Sequence, residues 1–221
     1  MDETVAIIGG SGALGFALAL RWAQSGVDVC VGSRDQGKAA GAANKIRETV
    51  PDAKVAGFPN VEAAAKAAIV VLTVPFAAQA ATLTSIKAVM KDKLLVDTTV
   101  PLAVAVGGRA TRLLGVWEGS CAQAAQALLP DVTVVSAFHT VSAELLHESD
   151  AVVDYDVLIC GDDAAAKQKV TALVTRIPGM RALDAGGLEM SRVCESMTAL
   201  LISLNRRYKT RHSGIRITGI K

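Results

Sequence analysis

Gly10, Gly12 and Gly15 spell G-x-G-x-x-G within the run Gly9-Gly10-Ser11-Gly12-Ala13-Leu14-Gly15. That spacing has a specific use. The first glycine permits a tight turn, the second lets the backbone approach a pyrophosphate, and the third lets a helix pack closely on a strand. Residues 4–9 read as a buried strand and 13–24 as a helix closed by Gly26, so the motif sits where free helix N–H groups would face phosphates. The plain alternative is a glycine-rich turn in an α/β protein without a ligand. At the end of a second strand, 28–32, sites for NAD carry a carboxylate that takes the ribose 2′-hydroxyl. Here Ser33 and Arg34 stand at that end and Lys38 lies one helical turn beyond. A hydroxyl, a guanidinium and an ammonium suit a 2′-phosphate, which favours NADP over NAD. Asp35 is the competing carboxylate, and its place after Arg34 suits the N-cap of the next helix.

The remaining catalytic inventory is thin. Short-chain dehydrogenases need Tyr-x-x-x-Lys, but Tyr155 and Tyr208 are followed four residues later by Ile159 and His212. Hydroxyacid and imine reductases usually add a large helical domain bearing a catalytic Lys or His, and too little chain follows residue 100 for one. The hydride acceptor is therefore expected to need little acid or base help. Cys30, Cys121, Cys160 and Cys194 are scattered without C-x-x-C spacing, so they read as small buried hydrophobes rather than a zinc site or disulfide framework. His147 and His212 read as surface or loop residues.

Composition says what must hold these groups. The 221 residues are 51% hydrophobic, 20% charged and only 4% aromatic, a palette of Ala, Val, Leu and Ile suited to helices on a buried parallel sheet. Further strands are expected at 54–57, 69–74, 93–97, 133–137, 157–160 and 181–184. Helices are expected at 38–49, 77–90, 120–129, 164–176 and 188–205. Alternation of this kind implies right-handed crossovers and an α/β fold of Rossmann type, with a doubly wound, mainly parallel sheet. The aperiodic, Gly- and Val-rich stretch 98–117 suggests a soft boundary between a nucleotide-binding core, 1–100, and a small C-terminal α/β subdomain, 101–221. The apolar runs 69–76 and 199–204 are short of the roughly 20 residues that a membrane helix needs. With no signal-peptide pattern and a net charge of +2, the expectation is a cytoplasmic enzyme without membrane or nucleic-acid partners.

Several longer motifs accompany the glycine turn. They are Leu72-Thr73-Val74-Pro75, Val135-Ser136-Ala137-Phe138-His139-Thr140, Cys160-Gly161-Asp162-Asp163, Leu183-Asp184-Ala185-Gly186, and Glu195-Ser196-Met197-Thr198 leading into Leu204-Asn205. With Ile8-Gly9-Gly10-Ser11-Gly12 and Gly32-Ser33-Arg34, they make the chain resemble, over nearly its whole length, the NADPH-dependent reductases of the 8-hydroxy-5-deazaflavin coenzyme F-420. The resemblance implies NADP(H) lying along Ser11, Gly12, Ala13 and Leu14, then Ser33, Arg34 and Lys38, past Phe76 and Ala80, with its nicotinamide near Leu102 and Ala143. It also implies coenzyme F-420 as co-substrate, stacked on the nicotinamide in a pocket formed by His139, Ser196, Thr198 and Ser213, and a homodimer. Hydride would pass directly between the rings, with His139 the plausible helper for the remaining proton. The bland alternatives are a structural His139, and Ser196 and Thr198 bonding back to the preceding helical turn. Three positions depart from the family pattern: Phe76 stands where Trp also occurs, and Ser142 and Gly187 where Pro is expected.

Charge adds a separate clue. Arg206, Arg207, Lys209, Arg211, Arg216 and Lys221 all lie beyond Glu195, where no acidic residue follows, so the body of the chain is net acidic. A basic C-terminal rim would attract the phosphate and oligoglutamate tail of F-420; the alternative is a solvated tail or weak nucleic-acid contact. Two other functions fit the fold: an NADPH-dependent flavin or ferric reductase, and a non-catalytic NADP sensor.

Overall fold

The computed structural model describes residues 4–148 and 150–220. Strands β1 (Val5–Ile8), β2 (Val29–Ser33), β3 (Val55–Pro59), β4 (Ile69–Leu72), β5 (Leu94–Asp97), β6 (Thr133–Ser136), β7 (Asp156–Gly161) and β8 (Arg181–Gly186) form one sheet, ordered β3-β2-β1-β4-β5-β6-β7-β8. The helices are α1 (Ala13–Gln24), α2 (Gln36–Thr49), α3 (Asn60–Lys66), α4 (Phe76–Ile86), α5 (Cys121–Leu128), α6 (Ala143–His147), α7 (Ala164–Val174) and α8 (Ser191–Tyr208). β1 and β4 are wholly apolar and buried, so both faces of the sheet need cover. Successive side chains alternate between faces. Val5, Ile7, Ile69 and Val71 join a core with α1, α2, α6 and α7, while Ala6, Ile8, Val70 and Leu72 join one with α3, α4 and α5. Trp22 of α1 is fully buried in the first core; its Nε1 donates to the Leu173 carbonyl at 2.9 Å and its ring meets Phe138 edge-on at 5.7 Å. Such a ring pair adds about 0.5–1.5 kcal/mol beyond the area it buries.

The α/β, mainly parallel architecture is borne out. All neighbours from β3 to β6 pair in parallel, as do β7 and β8. The β6–β7 pair is antiparallel, joined at Val135↔Gly161 and Ser136↔Cys160. Strand order reverses beside β1, where β2 lies on one side and β4 on the other, and this opens a crevice at their carboxyl ends. Residues 101–221 supply β6, β7 and β8 to the same sheet.

Several boundaries differ from the sequence expectation for physical reasons. Asp35 caps α2 by accepting the Lys38 N–H at 3.0 Å, so that helix starts at Gln36. The expected helix 77–90 is α4 followed by a 3₁₀ turn, Lys87–Val89, and the expected helix 188–205 is a 3₁₀ turn, Leu188–Met190, running into α8. Helices α3 and α6 were not expected at all. At seven and five residues they are too short to establish a period. Ser142, one of the three departures, caps α6 by accepting the Leu145 N–H at 3.2 Å.

The C-terminal segment is strapped across the start of β7. The Asp156 N–H donates to the Ile215 carbonyl at 2.7 Å. The Asp156 carboxylate accepts from the Ile217 N–H at 2.6 Å, from Arg181 Nε and Nη2 at 2.8 Å each, and from Arg216 Nη1 at 3.0 Å. Tyr155 donates its hydroxyl proton to the His212 carbonyl. Hydrogen bonds from Arg181 lead the groups that hold the Asp156 carboxyl below its usual range, against the opposing effect of burial. A carboxyl lowered by folding contributes stability that is complete above the unfolded value and lost as pH falls through the folded one. The strap should therefore hold near neutrality and loosen below about pH 4. Asp156→Asn is expected to loosen it at pH 7, raising tryptic cleavage after Arg211 on the order of tenfold, since cleavage follows the population of the open form.

Candidate active site

The crevice beside β1 is built mostly from backbone. Gly9 turns the chain with φ of +82°, and the Gly9 and Gly10 N–H groups donate to the Gly32 carbonyl at 3.1 and 2.9 Å, binding the turn to the end of β2. α1 begins after Gly12, which offers no side-chain cap, and its first turn carries no acidic residue. The N–H groups of Ala13, Leu14 and Gly15 therefore lack helical acceptors and form an anion site with the positive end of the helix dipole. A cleft of about 480 Å³ opens above them; Ser11, Gly12, Ser33, Arg34, Lys38 and Pro75 are among its walls. Ser33 Oγ accepts from Ser11 Oγ and from the Asp35 N–H, both at 3.2 Å, which links the glycine turn to the end of β2. Arg34 and Lys38 are exposed at the rim. Asp35 is committed to its helix, as its place in the sequence suggested. Phe76 opens α4 and Ala80 is exposed on it, but neither is among the walls of the cleft; Ala78 and Thr82 are the residues of α4 that line it.

Sequence reasoning missed Asn60. It opens α3, is 7% exposed and lines the same cleft, and its Oδ1 has no hydrogen-bond partner among the described residues. The signal was Pro59-Asn60 ahead of an alanine-rich stretch.

Past the carboxyl ends of β5 and β6 lies a second set of expected residues. Leu102 is half-buried and bridges to Leu113. Ala143, the first residue of α6, borders a neighbouring cleft together with Ser11, Gly12 and Ala13. Phe138 has φ of +64°, a left-handed conformation costing roughly 1–2 kcal/mol for a bulky residue, and it redirects the chain just before His139. His139 is 7% exposed, and its Nε2 is buried without a partner among the described residues. Burial pushes the imidazole down to about 4, so the ring is neutral at physiological pH. It can donate or accept a hydrogen bond there as a neutral group; as an imidazolium acid it would be spent. Thr198 Oγ1 donates to the His139 carbonyl at 2.8 Å, joining α8 to this corner. Ser213 Oγ donates to Asn205 Oδ1 at 2.7 Å and packs the tail against the same helix. Ser196 Oγ instead bonds back to the Val193 carbonyl at 2.7 Å.

The basic rim is smaller than the sequence implied. Arg216 pairs with Asp154 and Asp156 at 3.0 Å, and Arg211 with Glu144 at 3.1 Å, so both charges are largely compensated. Arg206, Arg207 and Lys209 remain exposed at the end of α8, with no ion pair among the described residues. Lys221 lies outside the described residues. All four cysteines are free and buried, as expected.

Comparison with known proteins gives a consistent answer. Residues 4–101 match the model of the family described as NADP oxidoreductase, coenzyme F420-dependent. The chain is 44% identical to the F420-dependent NADP reductase of Methanothermobacter thermautotrophicus, with 100% of this chain and 97% of that protein covered. It is 42% identical to the protein of the same name from Methanocaldococcus jannaschii, covering 98% and 99% respectively. A crystal structure of a candidate F420-dependent NADP reductase from Arthrobacter sp. FB24 superposes with a TM-score of 0.83 at 26% identity, covering 98% of this chain and 99% of that one. With identities of 44% and 42% to these reductases over nearly its full length, the chain belongs to the F420-dependent NADP reductase family.

Proposed function

We propose that the protein is an oxidoreductase that transfers hydride between NADP(H) and the deazaflavin coenzyme F-420. The observation that carries this reading is the cleft walled by Ser11 and Gly12 of the glycine turn with Ser33, Arg34 and Lys38, in a chain similar over its full length to F420-dependent NADP reductases; past the ends of β5 and β6, buried His139 keeps an Nε2 with no partner among the described residues. The donors fit the cofactor. Backbone N–H groups of α1 would take the pyrophosphate, and Ser33, Arg34 and Lys38 the 2′-phosphate. The nicotinamide and deazaflavin rings supply the hydride donor and acceptor, so no nucleophile is asked of the chain.

What remains for the protein is to orient two ring faces and exclude water. Leu102 and Ala143 would border the nicotinamide, and His139, Thr198 and Ser213 would border the acceptor. His139 would offer Nε2 to a ring heteroatom as a neutral group. Ser196 would need to turn from the Val193 carbonyl before it could join them.

Two broader assignments belong to the same proposal. Along α8, Val193 and Leu200 are 39% and 57% exposed, and half-buried Met197 and Leu204 complete a stripe at spacings of four, three and four residues. That apolar face supports a homodimer. Four buried cysteines scattered without C-x-x-C spacing fit a reducing compartment such as the cytoplasm. No helix among the described residues is long and apolar enough to cross a membrane.

Mixing the purified protein with NADPH and oxidised F-420 should bleach the deazaflavin's visible absorbance, and light scattering on the same preparation should give twice the chain mass. Turnover of free flavin or ferric complexes but not of F-420 would favour the other reductase assignment. Tight NADPH binding with no turnover on any of these acceptors would leave a sensor.

A further inference from the structure

A buried string of polar groups joins the two halves of the site, and Glu195 is its end on α8. Glu195 is 2% exposed, yet its carboxylate oxygens accept the N–H groups of Cys121 at 3.0 Å and Ala122 at 3.2 Å, the two that open α5. Ser120, the local cap, takes the next one, from Gln123, at 3.0 Å. Gln79 of α4 donates through Nε2 to the Cys121 carbonyl at 3.0 Å and to Asp97 Oδ2 at 2.6 Å. Asp97, fully buried at the end of β5, accepts the Thr99 N–H at 2.6 Å through Oδ1. The string thus runs from α4, whose Ala78 and Thr82 line the nucleotide cleft, through the ends of β5 and α5 to α8. One turn further along, α8 holds the His139 carbonyl through Thr198.

A stabilising cap would not need this arrangement. Burial and the nearby Asp97 push the Glu195 carboxyl up to about 7, so placing a carboxylate here is costly. The N–H groups that it serves could be met by residues next to α5, as Gln123 already is. What a carboxylate on α8 adds is a fixed spacing between α8 and α5, and through Gln79 between α8 and the helix that lines the nucleotide cleft.

We propose that Glu195 is a positioning residue for hydride transfer, setting the distance between the acceptor wall on α8 and the nucleotide cleft. The proposal rests on the deazaflavin reading given above. Hydride transfer needs the reacting carbons about 3–3.5 Å apart, and a misplacement near 1 Å costs on the order of a hundredfold. Glu195→Ala, which releases both N–H groups, is therefore expected to lower kcat for F-420 reduction by about 30- to 100-fold while leaving the KM for NADPH within about threefold. Glu195→Gln keeps the length and one acceptor and should restore most of that loss, whereas Glu195→Asp keeps the charge but is one methylene shorter and should not.

Steady-state kinetics with both substrates, alongside thermal melts, separate the outcomes. A fall in melting temperature with kcat unchanged in the folded variant would reduce Glu195 to a cap and overturn the proposal. So would full activity in Glu195→Asp. If Glu195→Ala does not fold, the Gln and Asp variants carry the comparison, and equal kcat in the two overturns it. A wild-type protein that binds NADPH but never reduces F-420 would count against the deazaflavin reading itself.

Discussion

Gly15→Ala is expected to destabilise the fold by about 3 kcal/mol and to abolish NADPH binding in the practical range. A Cβ at Gly15 would lie 2.5 Å from Thr73 Oγ1, 2.7 Å from Gly10 Cα and 2.8 Å from the Gly9 carbonyl oxygen. The threonine could rotate only by giving up its 3.0 Å bond to the Ile8 carbonyl, and the other two atoms are backbone of the turn itself. α1 must then move off the sheet, which opens the turn that aims its N–H groups. Overpacking of this kind costs about 1–3 kcal/mol and at times more, so the upper end is expected, with a drop in melting temperature of about 6–12 °C. Gly12→Ala gives the contrast. A Cβ there meets only the Gly9 carbonyl oxygen, at 3.2 Å, so the fold should survive while the close approach of a pyrophosphate is blocked. Thermal melts and NADPH fluorescence titration of the two variants check both statements. A Gly15→Ala protein that melts and titrates like wild type would refute the first.

Removing the basic corner should change cofactor choice without touching the fold. Arg34 and Lys38 are exposed at the rim, and the backbone bonds that shape the corner run through Ser33 and Asp35 instead. The double variant Arg34→Ala, Lys38→Ala is expected to weaken NADPH binding about a hundredfold, the product of two charge-assisted contacts worth about 1.4 kcal/mol each. NADH, which lacks the 2′-phosphate, should bind within about threefold of its wild-type affinity. Part of the loss should shrink as salt is raised, because both charges face water. Parallel titrations with the two nucleotides decide the matter, and equal losses for both would remove the 2′-phosphate assignment.

The parts of the site that were legible in the sequence are those whose chemistry is local. Gly10, Gly12 and Gly15 announce a turn that only small residues can make, and Asp35 announces a cap because its acceptor lies three residues ahead of the N–H it serves. Ser33 and Arg34 follow from the same logic, since the end of the second strand is fixed by its hydrophobic run. Long-range partners left no such trace. Glu195 meets N–H groups 73 and 74 residues away. The charges of Arg211 and Arg216 are equally visible in the sequence, but their compensation by Glu144, Asp154 and Asp156 is a product of the folded chain. The antiparallel turn of β7 also escaped notice, because a short apolar run carries no record of its direction. Asn60 was hidden behind a seven-residue helix with too few turns to show a face.

The pairing of β5 with β6, from Leu94↔Thr133 to Asp97↔Ser136, welds the strands on the side of the glycine-turn cleft to the strand that leads into His139. Many dehydrogenases place such parts on separate bodies that swing together around their ligands. Here a continuous ladder crosses the join and leaves no hinge for a swing of that kind. On the deazaflavin reading proposed above, the entropy of bringing the two ring sites into register would be lost once, when the chain folds, and would not be lost again in each catalytic cycle.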